Sequence, residues 1–209
     1  MSVTTHSSHS VEQRLSYRRL WGIGQRLLAG FLLVLSAPVL VVGAIIVKLS
    51  SPGPILYISW RPGLDGKMFP CYKLRTMRLA ENELHDDHPS IDEKGMHDHP
   101  RATSWGRRLR RSSVDELPQL WNVVRGEMSL VGPRPLTYRD YICLPKWALA
   151  RYQVKPGMTG LWQVSGRSEL SRQQMLQLDL VYLDMHNPRA DLRILLSTLP
   201  AVWSMRGAY

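Results

Sequence analysis

Two adjacent carboxylates, Asp115 and Glu116, follow a run of arginines in the stretch RRSSVDELPQLWNVVRGEMSLVGPRP, residues 110–135. Locally, Ser113 and Glu116 match the S/T-x-x-E capping box, in which each side chain satisfies a backbone donor at a helix start. Acidic residues in a first turn also suit the helix dipole, and Pro118 fits an early-helix position, where a missing donor costs nothing. Chemically, a carboxylate pair beside Arg107, Arg108, Arg110 and Arg111 fits phosphate handling, because guanidinium groups bind phosphate oxygens bidentately. On this stretch alone the cap is the simpler reading.

Further cations change that balance. In SLVGPRP, Arg134 stands between two prolines, which either make a plain rigid turn or fix a guanidinium at low entropic cost. RYQVKPGMTGLWQVSGR offers Arg151, Lys155, Gln163 and Arg167, with Gly157, Gly160 and Gly166 between them. Glycine turns bracketed by cations suit close backbone approach to a phosphate. HDDHPSIDEKGMHDH carries four histidines, but none is spaced as in a helical H-E-x-x-H, so it reads as a solvated loop rather than a metal site.

The totals narrow the partners. Of 209 residues, 27 are Lys or Arg and 17 Asp or Glu, for a net charge of +10. Such an excess implies a polyanionic partner: nucleic acid, an anionic membrane or phosphorylated substrates. No zinc finger, RNP-type aromatic signature or recognition helix supports nucleic acid. Two cysteines make neither a disulfide framework nor a zinc site, which fits a reduced, cytosol-facing protein.

One segment organises the chain. Residues 27–47, LLAGFLLVLSAPVLVVGAIIV, carry no charge and as a straight helix reach roughly 32 Å, about the hydrocarbon thickness of a bilayer. Ser36-Ala37-Pro38 lies at the midpoint, where proline removes a backbone hydrogen bond. Basic residues flank both ends, so the positive-inside rule gives no orientation, and spanning and re-entrant topologies both fit. Around it, residues 1–19 read as a disordered, basic arm, 20–50 as the membrane helix, and 51–209 as the domain that carries the carboxylate and cation motifs. The turn Gly63-Leu64-Asp65-Gly66 predicts a hairpin. Helical patterning covers about 104–126, 137–153 and 168–185. Leu192, Leu196, Leu199 and Trp203 then form a stripe, for which core is the safer reading and the membrane interface the other.

Taken in order, SPGPILY, RPGLDGKMF, YKLRTM, DHPRAT, LRRSSVDELPQLWNVVRGEMSLVGPRP, YQVKPGMTGLWQVSGR and RGAY resemble the bacterial sugar transferases, the monotopic polyprenyl-phosphate phosphoglycosyl transferases. The likeness runs from about residue 20 to the C-terminus, and TGLWQVSGR resembles the hexose-1-phosphate transferases of exopolysaccharide assembly. It implies a mainly helical α+β fold: an N-terminal re-entrant membrane helix broken at Ser36 and Pro38, a small β-hairpin, and interfacial amphipathic helices around the site. It implies transfer of hexose-1-phosphate from a UDP-hexose to undecaprenyl phosphate, with UMP released, on the cytoplasmic face of the bacterial inner membrane. Asp115 would be the nucleophile and Glu116 a holder of Mg²⁺. Arg110, Arg134 and Arg151, with Lys73, Arg75, Gln163 and Arg167, would bind phosphate. Galactose and glucose both fit the sugar, and no residue fixes the oligomeric state. The competing reading is a membrane-anchored basic adaptor or nucleic-acid binder without catalysis, using the same charge for adhesion.

Overall fold

The structure, a computed structural model, describes residues 5–79, 101–166 and 169–203, and it is predominantly helical. Helix α1 (Thr5–Ser50) contains the apolar segment and starts far ahead of residue 20, within the arm that composition reads as disordered. Pro38 lies inside it without ending it. Pro38 has no N–H for the Val34 carbonyl. Ser36 Oγ donates instead to the neighbouring Leu33 carbonyl (3.0 Å), so the serine does not replace the bond the proline removes.

The 31 residues Leu20–Ser50 are long and apolar enough to cross a bilayer. One face of this stretch nevertheless belongs to the core of the rest of the chain. At its start, Trp21 Nε1 and Gln25 Nε2 donate to Asp191 (2.8 and 3.4 Å), and Gln25 Oε1 accepts from the Leu130 N–H (2.8 Å). Ala29 is fully enclosed, and at the far end Val47 packs with Leu74 and Leu109. Gly43 makes that approach possible, since a Cβ there would meet Leu74 at 2.8 Å. The other face leaves Leu27, Phe31, Val34, Leu35, Val41, Val42 and Ile45 exposed.

After α1, strands β1 (Leu56–Pro62) and β2 (Met68–Leu74) pair antiparallel from Leu56↔Leu74 to Pro62↔Met68. The expected hairpin turn closes them, with Asp65 (φ 54°) and Gly66 (φ 73°) both left-handed. Phe69 and Cys71 face the core, and Lys73 follows them on the same face by the two-residue period.

The helical reading of 104–126 is corrected to two helices, α2 (Ser104–Arg111) and α3 (Gln119–Arg125), separated by a 3-10 turn at Val114–Glu116. Strand β3 (Ser129–Val131) follows. The reading of 137–153 likewise divides, into α4 (Tyr138–Ile142) and a 3-10 stretch Lys146–Gln153 that begins after Pro145. Strand β4 (Gly157–Thr159) pairs parallel with β3, a contact the sequence did not suggest. Helices α5 (Leu161–Ser165), α6 (Arg172–Met185) and α7 (Pro188–Trp203) complete the chain, α6 close to its expected span. The main core gathers Ala29, Phe69, Cys71, Leu120, Val123, Met128, Leu130, Val131, Tyr182 and Ile194. The α7 stripe is not part of it: Leu192, Leu196 and Leu199 are 52, 59 and 70% exposed, while Ala190, Asp191 and Ile194 take the inner face.

Candidate active site

Asp115 and Glu116 occupy the 3-10 turn between α2 and α3, wedged against β2 and the Gly-Pro-Arg-Pro segment after β3. The capping box does not form. Ser113 is left-handed (φ 56°) and its side chain caps nothing. The Glu116 carboxylate is engaged elsewhere: Oε1 accepts from Lys73 Nζ (2.9 Å) and Arg134 NH2 (2.7 Å), and Oε2 from Arg134 NH1 (3.3 Å). Pro118 is the N-cap of α3, so the pair stands just before that helix rather than in its first turn.

The two carboxyls, adjacent in the chain, differ in state. Burial would raise Glu116, but Arg134 and Lys73 outweigh it and hold the carboxyl well below the usual carboxylate range. Asp115 is buried and accepts no hydrogen bond among the described residues. Burial, and then the Glu116 charge, push it from 3.8 up to about 7, against the opposing pull of Lys73, Arg110 and Arg134. One acid is locked as an anion and the other is left untied among cations. Paired acids whose environments drive them apart take different chemical roles.

Arg134 is held by its backbone. The three carbonyls of Pro133, Arg134 and Pro135 accept from the Gly157 N–H (2.9 Å), Arg151 NH2 (2.7 Å) and Arg61 NH1 (3.2 Å). The proline-flanked arginine is therefore rigid, as its sequence implied, but two buried guanidiniums complete the clamp. Arg151 is one of them. Its Nε and NH2 bind Asp179 Oδ2 (3.0 and 2.6 Å), and both side chains are almost fully enclosed. Arg151 thus stands behind Arg134 as a support rather than facing a phosphate. Asp179→Asn leaves that guanidinium buried without its anion, so we expect a loss of about 3–5 kcal/mol in unfolding free energy. Replacing both Arg151 and Asp179 by apolar residues should recover most of it, as measured by denaturation of the detergent-solubilised protein.

The glycines are also used differently from their expected role. A Cβ on Gly157 would lie 2.0 Å from the Gly132 amide nitrogen, and one on Gly160 would lie 2.4 Å from the Gly132 carbonyl oxygen. These positions let the β3 and β4 backbones meet, which seats Arg134. Gln163 Nε2 donates to the Met158 carbonyl (3.1 Å) on β4. Arg75 is buried and donates to the Ser51 carbonyl (2.8 Å) and to the Pro52 carbonyl, clamping the turn that follows α1. Arg110, half-buried, faces Asp115, Glu116 and Arg134. The structure therefore brings together Asp115, Glu116, Lys73, Arg110 and Arg134. Arg167, the histidine-rich loop and the C-terminal RGAY lie outside the described residues.

Sequence reasoning missed Arg61, Asn122 and Asp191. Asn122 ties α3 to β2, donating to the Pro70 carbonyl (2.6 Å) and accepting from the Tyr72 N–H (3.2 Å). Asp191, fully enclosed, accepts from Trp21, Gln25 and Tyr182 Oη (2.8 Å). Only the adjacency of Asn122 to the DELPQL motif could have flagged any of these.

Among the described residues, no three acids, histidines or cysteines converge as a preformed metal cage. The donor set suits a hard cation that shares a carboxylate oxygen and takes its other ligands from substrate phosphates and water, the usual habit of Mg²⁺. Glu116 Oε2, with a single arginine contact, is the oxygen that fits it.

Comparison with known proteins matches residues 17–205 to the family model for bacterial sugar transferases. A UDP-glucose:undecaprenyl-phosphate glucose-1-phosphate transferase from Caulobacter vibrioides is 44% identical over 87% of this chain and 68% of its own. The exopolysaccharide production protein ExoY of Rhizobium meliloti is 36% identical over 95% of this chain and 93% of its own. An undecaprenyl-phosphate galactose phosphotransferase from Salmonella typhimurium is 39% identical over 75% of this chain and 35% of its own. With the match running through α1, the carboxylate pair and the Arg134 clamp alike, the chain belongs to the bacterial sugar transferase family.

Proposed function

We propose that this protein transfers hexose-1-phosphate from a UDP-hexose to undecaprenyl phosphate, releasing UMP, as a membrane step of exopolysaccharide assembly. The observation that carries the reading is the split between the two acids: Asp115 untied and facing cations, Glu116 tied by Lys73 and Arg134. An Asp115 oxygen attacks the sugar-bearing phosphorus, the bridging P–O bond breaks, and UMP departs. A lipid-phosphate oxygen then attacks the same phosphorus, breaks the acyl-phosphate bond, and restores the Asp115 carboxylate. Arg110, Arg134 and Lys73 shield the approach of an anionic nucleophile to an anionic phosphate. Glu116 would hold Mg²⁺ together with the substrate phosphates, and the ion would supply charge neutralisation there when bound. The sugar C1–O bond is never broken, so anomeric configuration is retained. UMP, detected with a panel of UDP-sugars and undecaprenyl phosphate, is the expected product; UDP in its place would make the enzyme a glycosyl transferase.

We further infer a re-entrant α1, which its contacts support, with the catalytic domain on the cytoplasmic face of the inner membrane. Trp21 and Val47, at opposite ends of the apolar stretch, both join the same polar domain, as expected of a helix that enters and leaves on one side of a bilayer. The exposed Leu192, Leu196 and Leu199 extend the apolar surface as an interfacial helix. A cysteine introduced near residue 5 in a Cys143→Ser background should escape membrane-impermeant maleimide in intact cells, and labelling there would mean that α1 spans.

A further inference from the structure

The far end of α3 carries a second concentration of positive charge that the transfer reaction does not use. Gly126 closes α3 in the left-handed region (φ 80°). A side chain at that position would begin 3.5 Å from Lys155 Nζ and 3.6 Å from Arg26 Cζ, so two cations meet over one point of backbone. Arg26 Nε donates to the Val124 carbonyl (2.8 Å), the ordinary service of a cation at a helix C-terminus. That contact accounts for one guanidinium N–H and none of Lys155, whose ammonium has no partner among the described residues. Glu127, the nearest acid in sequence, is already bound by Arg125 (3.1 Å) and Asn122 (2.6 Å). Burial, and then the Arg26 charge, push the Lys155 ammonium below its ordinary value, and no carboxylate offsets them. Lys155 is half-buried and Arg26 exposed, and two like charges held together at such a point repel each other unless an anion completes them.

Location indicates which anion. Arg26 is the last charge before the uncharged residues 27–47, and Trp21 lies just over a turn earlier. On a bilayer-inserted α1 this is the depth of the phosphate headgroups. Gly126 and the carboxylate pair lie beyond opposite ends of α3, so the cluster is separate from the site at Asp115.

We propose that Arg26 and Lys155 form a binding site for the headgroup phosphate of an anionic phospholipid, apart from the substrate diphosphate site. This rests on the membrane reading of α1, which is checked independently by sedimentation of the wild-type chain with pure phosphatidylcholine vesicles. The test counts phosphatidylglycerol retained per chain by the full-length, detergent-purified protein, washed in about 0.5 M sodium chloride to screen loose adhesion. Wild type and Lys155→Arg should retain it over phosphatidylcholine, and Lys155→Gln should retain about tenfold less. Lys67→Gln, which removes the same charge from the exposed hairpin turn, should retain as much as wild type. Equal loss in both glutamine variants, or no loss in Lys155→Gln, overturns the site while leaving vesicle binding intact. Displacement of the lipid by about 10 mM inorganic phosphate at matched ionic strength would also overturn it, in favour of a free-phosphate site. Failure of wild type to sediment with neutral vesicles would instead overturn the membrane reading on which the site depends.

Discussion

Asp115→Asn should abolish turnover, by at least about a thousandfold, and yet yield a protein more stable than wild type at alkaline pH. The loss follows from chemistry: an amide oxygen of nearly the same shape cannot form the aspartyl-phosphate bond. The gain follows from electrostatics. Asp115 is buried beside a second carboxylate and its value stands near 7, above the 3.8 expected of it in the unfolded chain. A carboxyl raised on folding contributes stability that is fully present below about pH 4 and is lost as pH rises through about 7. Above that pH the ionised Asp115 is a net cost to the fold, and asparagine removes it. Glu116 runs the opposite way: its depressed value makes a contribution present above its ordinary 4.5 and lost in acid. The stability gap between variant and wild type should therefore be largest near pH 8 and close towards pH 4, as read by thermal unfolding in detergent. An equally active variant would remove Asp115 from the reaction. A variant of lower stability at pH 8 would mean that the surrounding cations stabilise the carboxylate more than burial opposes it.

Such strain, a site less stable than its neutral mimic, is what a reactive group among fixed charges should show, and it bears on what could be read from sequence. The residue types in DELPQL and GPRP, and the family likeness they carry, were enough to name Asp115, Glu116 and Arg134. Their arrangement was not. The capping box at Ser113 obeyed local rules, but Lys73, 43 residues earlier, and Arg134, 18 residues later, both claim Glu116, and a paired charge outweighs a cap. Arg151 looked like one more phosphate cation because nothing near it in sequence reveals Asp179, 28 residues on, as its partner. Gly157 and Gly160 signalled close approach correctly, yet what approaches is the backbone at Gly132. The stripe of Leu192, Leu196 and Leu199 was legible as a face, but periodicity does not say whether an apolar face meets a core or a membrane. The α1 segment posed the same problem. Its hydrophobicity was plain, whereas the bonds from Trp21 and Gln25 to Asp191 depend on a residue some 170 positions away.

Glu116→Gln should move the pH profile of the reaction, not only its height. In wild type, kcat/KM for the sugar donor should rise with pH along a limb near 7, as the free enzyme's Asp115 ionises. Removing the Glu116 charge takes away the largest of the charge effects on Asp115, and the one among them that raises its value. It also releases Lys73 and Arg134 from their shared partner, so both act more strongly on Asp115. Each change favours the ionised nucleophile, and the limb should shift to lower pH. The plateau should nevertheless fall, by about 10- to 100-fold, because Arg134 loses its carboxylate partner and, on the proposed reading, the oxygen that would hold Mg²⁺ is lost. The combination separates this role from general damage to the fold, which would lower the plateau and leave the limb in place. A limb that stays near 7 in Glu116→Gln would assign the raised value of Asp115 to burial alone. A limb absent from wild type would show that binding of the donor, rather than the free carboxyl, sets the protonation state in which Asp115 attacks.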